Sequence, residues 1–102
     1  MKFITDYCEF GGNKDSHLHD NLQCETENKD LLLAYLKNGY DDGVRCSNIY
    51  DYVKNVRTSE TVRLYTDGEY FWDSEEIYHF EKYDIKLDAT FVHKVMNCVE
   101  KF

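Results

Sequence analysis

The sequence predicts an α+β fold in which three or four helices pack on a small antiparallel sheet containing a β-hairpin near residues 62–72. Apolar and aromatic residues on both sides of Asp67-Gly68 indicate the hairpin, because this dipeptide readily adopts positive φ. Amphipathic helical patterns lie before and after it. The chain has 102 residues, 42% of them hydrophobic, which suits a single domain spanning residues 1–102.

The first third of the chain carries weaker signals. Apolar residues within residues 1–10 are spaced as on one helix face, so a helix is predicted there. Residues 14–26 are polar and form either a loop or a short helix. A clearer helix is predicted from about residue 29 to 38, with Asn28 as its N-cap and Gly39 as a left-handed stop.

The middle of the chain is ambiguous between strand and helix. Residues 41–43, Asp-Asp-Gly, predict a turn. The apolar residues that follow fit a short extended piece from Val44, but they also fit a helical turn starting near Ser47. Residues 57–60 are predicted to be a loop that leads into the hairpin.

Two helices are predicted after the hairpin. Asp73 and Ser74 can accept hydrogen bonds from free N–H groups at a helix start, and Glu75 and Glu76 would lie at the positive end of its dipole. Asp88 is the predicted N-cap of the last helix, whose apolar residues recur at steps of three and four.

Composition excludes several classes of function. The chain has 12 Lys and Arg and 20 Asp and Glu, so its formal charge of −8 would repel nucleic acid. No apolar run approaches the roughly 20 residues that span a bilayer, and no signal-peptide pattern follows Met1. We therefore expect a cytoplasmic protein that binds neither nucleic acid nor membranes directly.

The residues that could carry chemistry form no strong motif. His17-Leu18-His19, with Cys24 or Asp20, resembles a zinc-binding pattern, but two solvated histidines explain it better. His79 and His93 lack an identified carboxylate partner for general-base catalysis. Widely spaced cysteines without a C-x-x-C pair favour reduced thiols over disulfides or a zinc knuckle. No catalytic residue, metal or other cofactor is predicted.

A protein-binding face is the remaining possibility. Exposed tyrosines are typical anchors of protein interfaces, and carboxylates can occupy a basic groove of a partner. The alternative is a solvated acidic surface that only keeps the protein soluble. The candidate binding residues are Asp41, Asp42, Tyr70, Asp73, Glu75 and Glu76.

The second half of the chain resembles a known family. Residues 67–72, DGEYFW, are followed by Ser74, Tyr78, Glu81-Lys82-Tyr83, Leu87 and Phe91. This order resembles the pattern D-G-x-Y-x-W…S…Y…E-K-Y…L-P-x-x-F of small cytoplasmic immunity proteins, which are encoded beside polymorphic and contact-dependent growth inhibition toxins of bacteria. Residues 35–39, YLKNG, resemble the Y-L-x-x-G helix end of such proteins. Asp73 and Asp88 stand where the pattern often has proline.

The resemblance implies a non-enzymatic protein that binds the C-terminal domain of one cognate toxin, often a basic nuclease. Binding would block the active site of the toxin or an adjacent surface. The matching residues look structural, so the resemblance implies a role without a binding site. Two other functions remain open: a phage-type inhibitor that mimics nucleic acid, and a small metal-dependent hydrolase using His17, His19, His79 or His93.

Overall fold

The computed structural model describes residues 2–24 and 26–100 and has the predicted α+β architecture. Within that part of the chain, three helices pack against a mixed sheet with strand order β1-β4-β3-β2. The strands are β1 (Lys2–Phe3), β2 (Tyr40–Asp51), β3 (Val56–Thr66) and β4 (Tyr70–Asp73), and the helices are α1 (Lys29–Lys37), α2 (Ser74–Tyr83) and α3 (Ala89–Glu100). None of these helices has the length and apolar character needed to cross a membrane.

The predicted hairpin is confirmed. β3 and β4 pair antiparallel in the register Leu64↔Asp73, Tyr65↔Trp72 and Thr66↔Phe71. The Asp67 carboxylate accepts the N–H groups of Glu69 at 2.9 Å and of Tyr70 at 2.6 Å, which closes the turn. Gly68 has a φ of +97°, a conformation that side chains other than glycine rarely adopt.

The helix predicted over residues 1–10 is wrong. Residues 2 and 3 form β1, which pairs parallel to β4 and makes the sheet mixed and not purely antiparallel. The backbone beyond it runs as a loop with a 3₁₀ turn at Cys8–Phe10. Ile4 and Tyr7 of this loop are buried. Distant residues hold them there, because the Asp88 N–H donates to the Ile4 carbonyl at 2.7 Å and the Tyr7 hydroxyl donates to the Lys86 carbonyl. Such contacts are invisible in a local pattern.

The middle of the chain forms one long antiparallel hairpin. Residues 40–51 are strand, so the extended alternative is confirmed over the helical one. The turn predicted at residues 41–43 is wrong, because the register shift between Asp41 and Gly43 marks a bulge inside β2. The loop predicted at residues 57–60 is also wrong, since β3 already begins at Val56. The chain reverses at residues 52–55 instead.

Of the four residues predicted to cap helices, Asp73 and Asp88 are confirmed, whereas Asn28 and Gly39 act differently from the prediction. The Asp73 carboxylate accepts the Glu76 N–H at 2.8 Å, and the Asp88 carboxylate accepts the Phe91 N–H at 3.0 Å. Asn28 lies at the start of α1 but makes no side-chain cap bond. Gly39 is not in the left-handed region. It is a close-packing position, because a Cβ there would lie 2.6 Å from Cζ2 of Trp72.

The core lies between the sheet and the helices. Trp72 is fully buried at its centre, and the indole N–H donates to the Leu36 carbonyl at 3.0 Å. This bond joins β4 to the end of α1. The other large buried side chains of the cluster include Ile4, Leu18, Leu32, Leu36, Tyr70, Phe80, Ile85, Phe91 and Val95.

Candidate functional site

The six predicted binding residues do not form one exposed face. Tyr70 is buried in the core, and the carboxylates of Asp73, Glu75 and Glu76 are also buried. The expectation of exposure is therefore wrong for these four residues. Asp41 and Asp42 are exposed, as expected, at the start of β2. Their contact with a toxin stays a prediction.

The buried carboxylates at the start of α2 bind other parts of this chain. Burial raises the pKa of Asp73 and Glu75, and the pKa of Glu76 is raised by burial and by the nearby Asp73. Each also has a partner from outside α2. These partners are the Arg45 guanidinium for Asp73 at 3.2 Å, the Tyr50 N–H for Glu75 at 3.0 Å and the Thr5 hydroxyl for Glu76 at 2.7 Å. The cluster therefore connects α2 to β2 and to the N-terminal segment.

His79 is buried next to this carboxylate cluster, and neither of its ring nitrogens is free to act as a general base. Its Nε2 accepts the Tyr52 N–H at 3.0 Å, and its Nδ1 lies 2.7 Å from the Glu75 carbonyl. The neutral ring with the proton on Nδ1 satisfies both contacts. Burial lowers the pKa of His79, which favours that neutral form. Both ring nitrogens are thus committed to the backbone. His93, the other histidine considered as a general base, lies exposed on α3.

Asp51 is a buried carboxylate that the sequence analysis did not single out. It is fully buried at the end of β2 and accepts hydrogen bonds from four groups. Burial alone would raise the pKa of Asp51, but these bonds outweigh it and hold the pKa below its usual range. The donors are the N–H groups of Val53 at 2.9 Å and Lys54 at 2.8 Å, and the hydroxyls of Tyr78 at 2.7 Å and Tyr83 at 2.5 Å.

A group of potential metal ligands lies in the N-terminal loop. Cys8, Glu9 and His17 each offer one donor atom, and these atoms all lie within 4.8 Å of one another. In the part of the chain that the structure describes, His19, Asp20 and Cys24 join no such group. The zinc pattern weighed for His17 and His19 is therefore not formed, and His17 instead lies beside Cys8 and Glu9. Cys8, Cys24 and Cys46 are free thiols, and the side chain of Cys98 lies outside the described set.

Tyr40, at the start of β2, is the most exposed large aromatic side chain among the described residues. Tyr40 is 75% exposed and Val44 is 56% exposed, and Asp41 and Asp42 lie between them. We call residues 40–44 the edge segment. Among the described strands β2 pairs with β3 alone, so the other side of the edge segment is open. A shallow groove between α1 and Tyr40 adjoins it, and Leu31, 43% exposed, forms part of its wall.

Comparisons with protein-family models, with curated proteins and with solved structures found no match for this chain. Several residues that carry the resemblance to immunity proteins are interior ones. Tyr70, Trp72, Leu87 and Phe91 are buried, and Asp67 closes the hairpin turn. The resemblance is therefore carried largely by residues that build the hairpin and the core, and it identifies no binding surface.

Proposed function

We propose that this chain is an immunity protein of the cytoplasm that binds and neutralises one cognate bacterial toxin domain and catalyses no reaction. The edge segment is the proposed contact surface. The observation that carries the proposal is the exposure of Tyr40 and Val44 beside two carboxylates on an open strand edge. The family resemblance of residues 67–91 supports the same role, but it involves mainly residues that build the fold and points to no contact surface.

Each feature of the edge segment suits recognition of a basic protein. A tyrosine can bury a large aromatic surface against a partner while its hydroxyl stays hydrogen-bonded, which is why tyrosine is frequent among interface hot spots. Asp41 and Asp42 can pair with lysines or arginines of a nuclease cleft. The net charge of −8 adds long-range attraction, which accelerates association with a basic partner.

The interior carboxylates do not contribute such contacts. Asp73, Glu75 and Glu76 are buried, and their carboxylates already bond to Arg45, Tyr50 and Thr5 of the same chain. The proposed surface is therefore smaller than the six residues named from the sequence. It consists of the edge segment and the adjoining groove with Leu31.

The test is co-purification of the tagged chain with the toxin domain encoded beside its gene, together with growth after toxin induction. We expect a stable complex of one chain with one toxin domain, and growth only when this chain is present. The double variant Asp41→Lys and Asp42→Lys should slow association and weaken its salt dependence. Tyr40→Ala should mainly accelerate dissociation, because it removes the proposed anchor.

Glu60→Lys is the control, since it makes the same kind of charge reversal at one exposed position of the neighbouring strand β3, half the charge change of the double variant. It should leave dissociation and protection unchanged. A complex that is equally impaired by Glu60→Lys would contradict the edge segment as the contact surface. Absence of both complex and protection with the folded wild-type chain would contradict the immunity function itself.

A further inference from the structure

The N-terminal loop contains a compact set of three donor atoms of the kind that bind zinc. Cys8 Sγ lies 3.5 Å from His17 Nδ1, and Glu9 Oε1 lies 3.6 Å from the same nitrogen. A sulfur, an imidazole nitrogen and a carboxylate oxygen are the three ligand types that zinc accepts in proteins. We propose that Cys8, Glu9 and His17 form a binding site for a zinc-type divalent cation.

Two of the three distances between the donor atoms fit a single tetrahedral ion, and the third, between Cys8 Sγ and the Glu9 carboxylate, is within 4.8 Å. With Zn–S of about 2.3 Å and Zn–N of about 2.0 Å, a tetrahedral angle separates sulfur and nitrogen by about 3.5 Å. The corresponding nitrogen–oxygen separation is about 3.3 Å. The observed separations of 3.5 Å and 3.6 Å are close to these values. A hydrogen atom on Nδ1 can point at only one of the two neighbours, whereas an ion can bind all three atoms.

Backbone hydrogen bonds hold the three residues in place. The Cys8 N–H donates to the Ser16 carbonyl at 2.8 Å, which brings the two ends of the loop together. The Leu18 N–H donates to Glu9 Oε2 at 2.9 Å, so the carboxylate is oriented with its other oxygen towards His17. This second bond is the outer support that metal-binding carboxylates commonly have.

The loop is also anchored to the core. The Phe10 ring packs edge-on against the rings of His79 at 5.5 Å and Tyr52 at 5.9 Å. The ligand His17 is half exposed, so an ion can enter from solvent. Three protein ligands leave one tetrahedral position for water or for a donor from another molecule. The ion would cross-link the two ends of the loop.

The experiment uses the full chain, reduced and stripped with a chelator, and needs no toxin. Zinc is titrated in competition with a metal-binding indicator, and cobalt is added separately as a spectroscopic probe. We expect a single ion per chain and, with cobalt, a thiolate-to-metal charge-transfer band together with the d–d bands of tetrahedral coordination. A cobalt spectrum without the thiolate band would overturn the site.

Single substitutions identify the ligands. Cys8→Ser and His17→Gln should each weaken zinc binding by more than about 100-fold, because changes outside the ligand sphere alone typically cost 10 to 100-fold. The matched controls Cys46→Ser and His19→Gln alter exposed residues of the same types outside the cluster and should bind as the wild type does. Loss of binding in a control, with Cys8→Ser unaffected, would assign the zinc to adventitious surface sites.

Glu9→Gln provides a second measure if either ligand variant fails to fold. The amide oxygen of glutamine can still accept the Leu18 N–H, so the loop should be retained while the negative charge is lost. Zinc binding should weaken, and the cobalt spectrum should keep its thiolate band. Unchanged zinc affinity in folded Glu9→Gln would remove Glu9 from the site and contradict the three-ligand assignment.

Discussion

Replacing Asp51 with alanine should destabilise the fold strongly. The change removes the acceptor of four hydrogen bonds and leaves two backbone N–H groups of the turn after β2 without a partner. A hydrogen bond lost from a folded protein costs about 0.5 to 1.5 kcal/mol net, and about 1.5 to 3 kcal/mol when one partner is charged. Val53, Tyr78 and Tyr83 are half-buried and Lys54 is exposed, so water can replace part of each bond and we count all four at about 1 kcal/mol. We expect a loss of about 3 to 5 kcal/mol, against a typical total of about 5 to 15 kcal/mol.

Urea denaturation followed by tryptophan fluorescence measures this loss directly, because the single tryptophan, Trp72, is fully buried. Asp51→Asn is the graded variant: its amide oxygen keeps an acceptor for the turn, but the charge is lost. The free energy of unfolding of Asp51→Asn should lie between those of the wild type and Asp51→Ala. Asp42→Ala, an exposed aspartate of the same strand, should change stability by less than about 0.5 kcal/mol.

The lowered pKa of Asp51 gives the same residue a pH signature. A carboxyl whose pKa is lower in the folded state stabilises the protein above its unfolded pKa of about 3.9, and that contribution is lost as the pH falls below this value. Asp51→Asn should lose stability near neutral pH and show a weaker acid dependence. A change below about 1 kcal/mol in Asp51→Ala, with unaltered acid dependence, would refute this account of the network.

Two further substitutions test the interior. Glu76→Gln keeps an acceptor for the Thr5 hydroxyl but removes a carboxyl group whose pKa is raised by burial and by the nearby Asp73. Because the pKa of Glu76 is raised in the folded state, the wild-type protein loses stability as the pH rises above about 4.3. Glu76→Gln should therefore be more stable than wild type near pH 8, and the difference should be smaller near pH 5. Equal differences at both pH values would contradict this. Gly39→Ala places a methyl group 2.6 Å from the Trp72 ring, so the free energy of unfolding should fall by about 1 to 3 kcal/mol and the tryptophan emission spectrum should change. Unchanged stability would show that the ring moves freely.

Local chemistry in the sequence was sufficient for the fold from the Asp67-Gly68 turn onward. The Asp67-Gly68 turn, the caps Asp73 and Asp88, and the two helices that they begin were predicted and are confirmed. Each of these features depends on residues within four positions of one another, since a turn or a cap is completed by neighbouring N–H groups. The helix near residues 29–38 also follows from its own apolar spacing and is confirmed as α1.

Contacts between distant residues decided the rest. β1 exists because β4 offers it a parallel edge, and a pattern in residues 1–10 contains no information about that edge. The charged residues at the start of α2 were expected to face solvent, because charges near a helix start usually do. β2 and the N-terminal segment cover them instead and supply the Arg45, Tyr50 and Thr5 partners.

The two proposed sites show the same division. Asp41 and Asp42 were named from their charge alone, but the exposure of Tyr40 and Val44 depends on β2 being an edge strand of the sheet. Cys8 and His17 are nine positions apart and belong to no metal-binding spacing. The folded loop places their side chains together. Sequence by itself therefore determined the Asp67-Gly68 turn, the Asp73 and Asp88 caps and the net charge. Tertiary structure decided which charged groups are buried and which ligands meet, because burial and proximity depend on elements far apart in the chain.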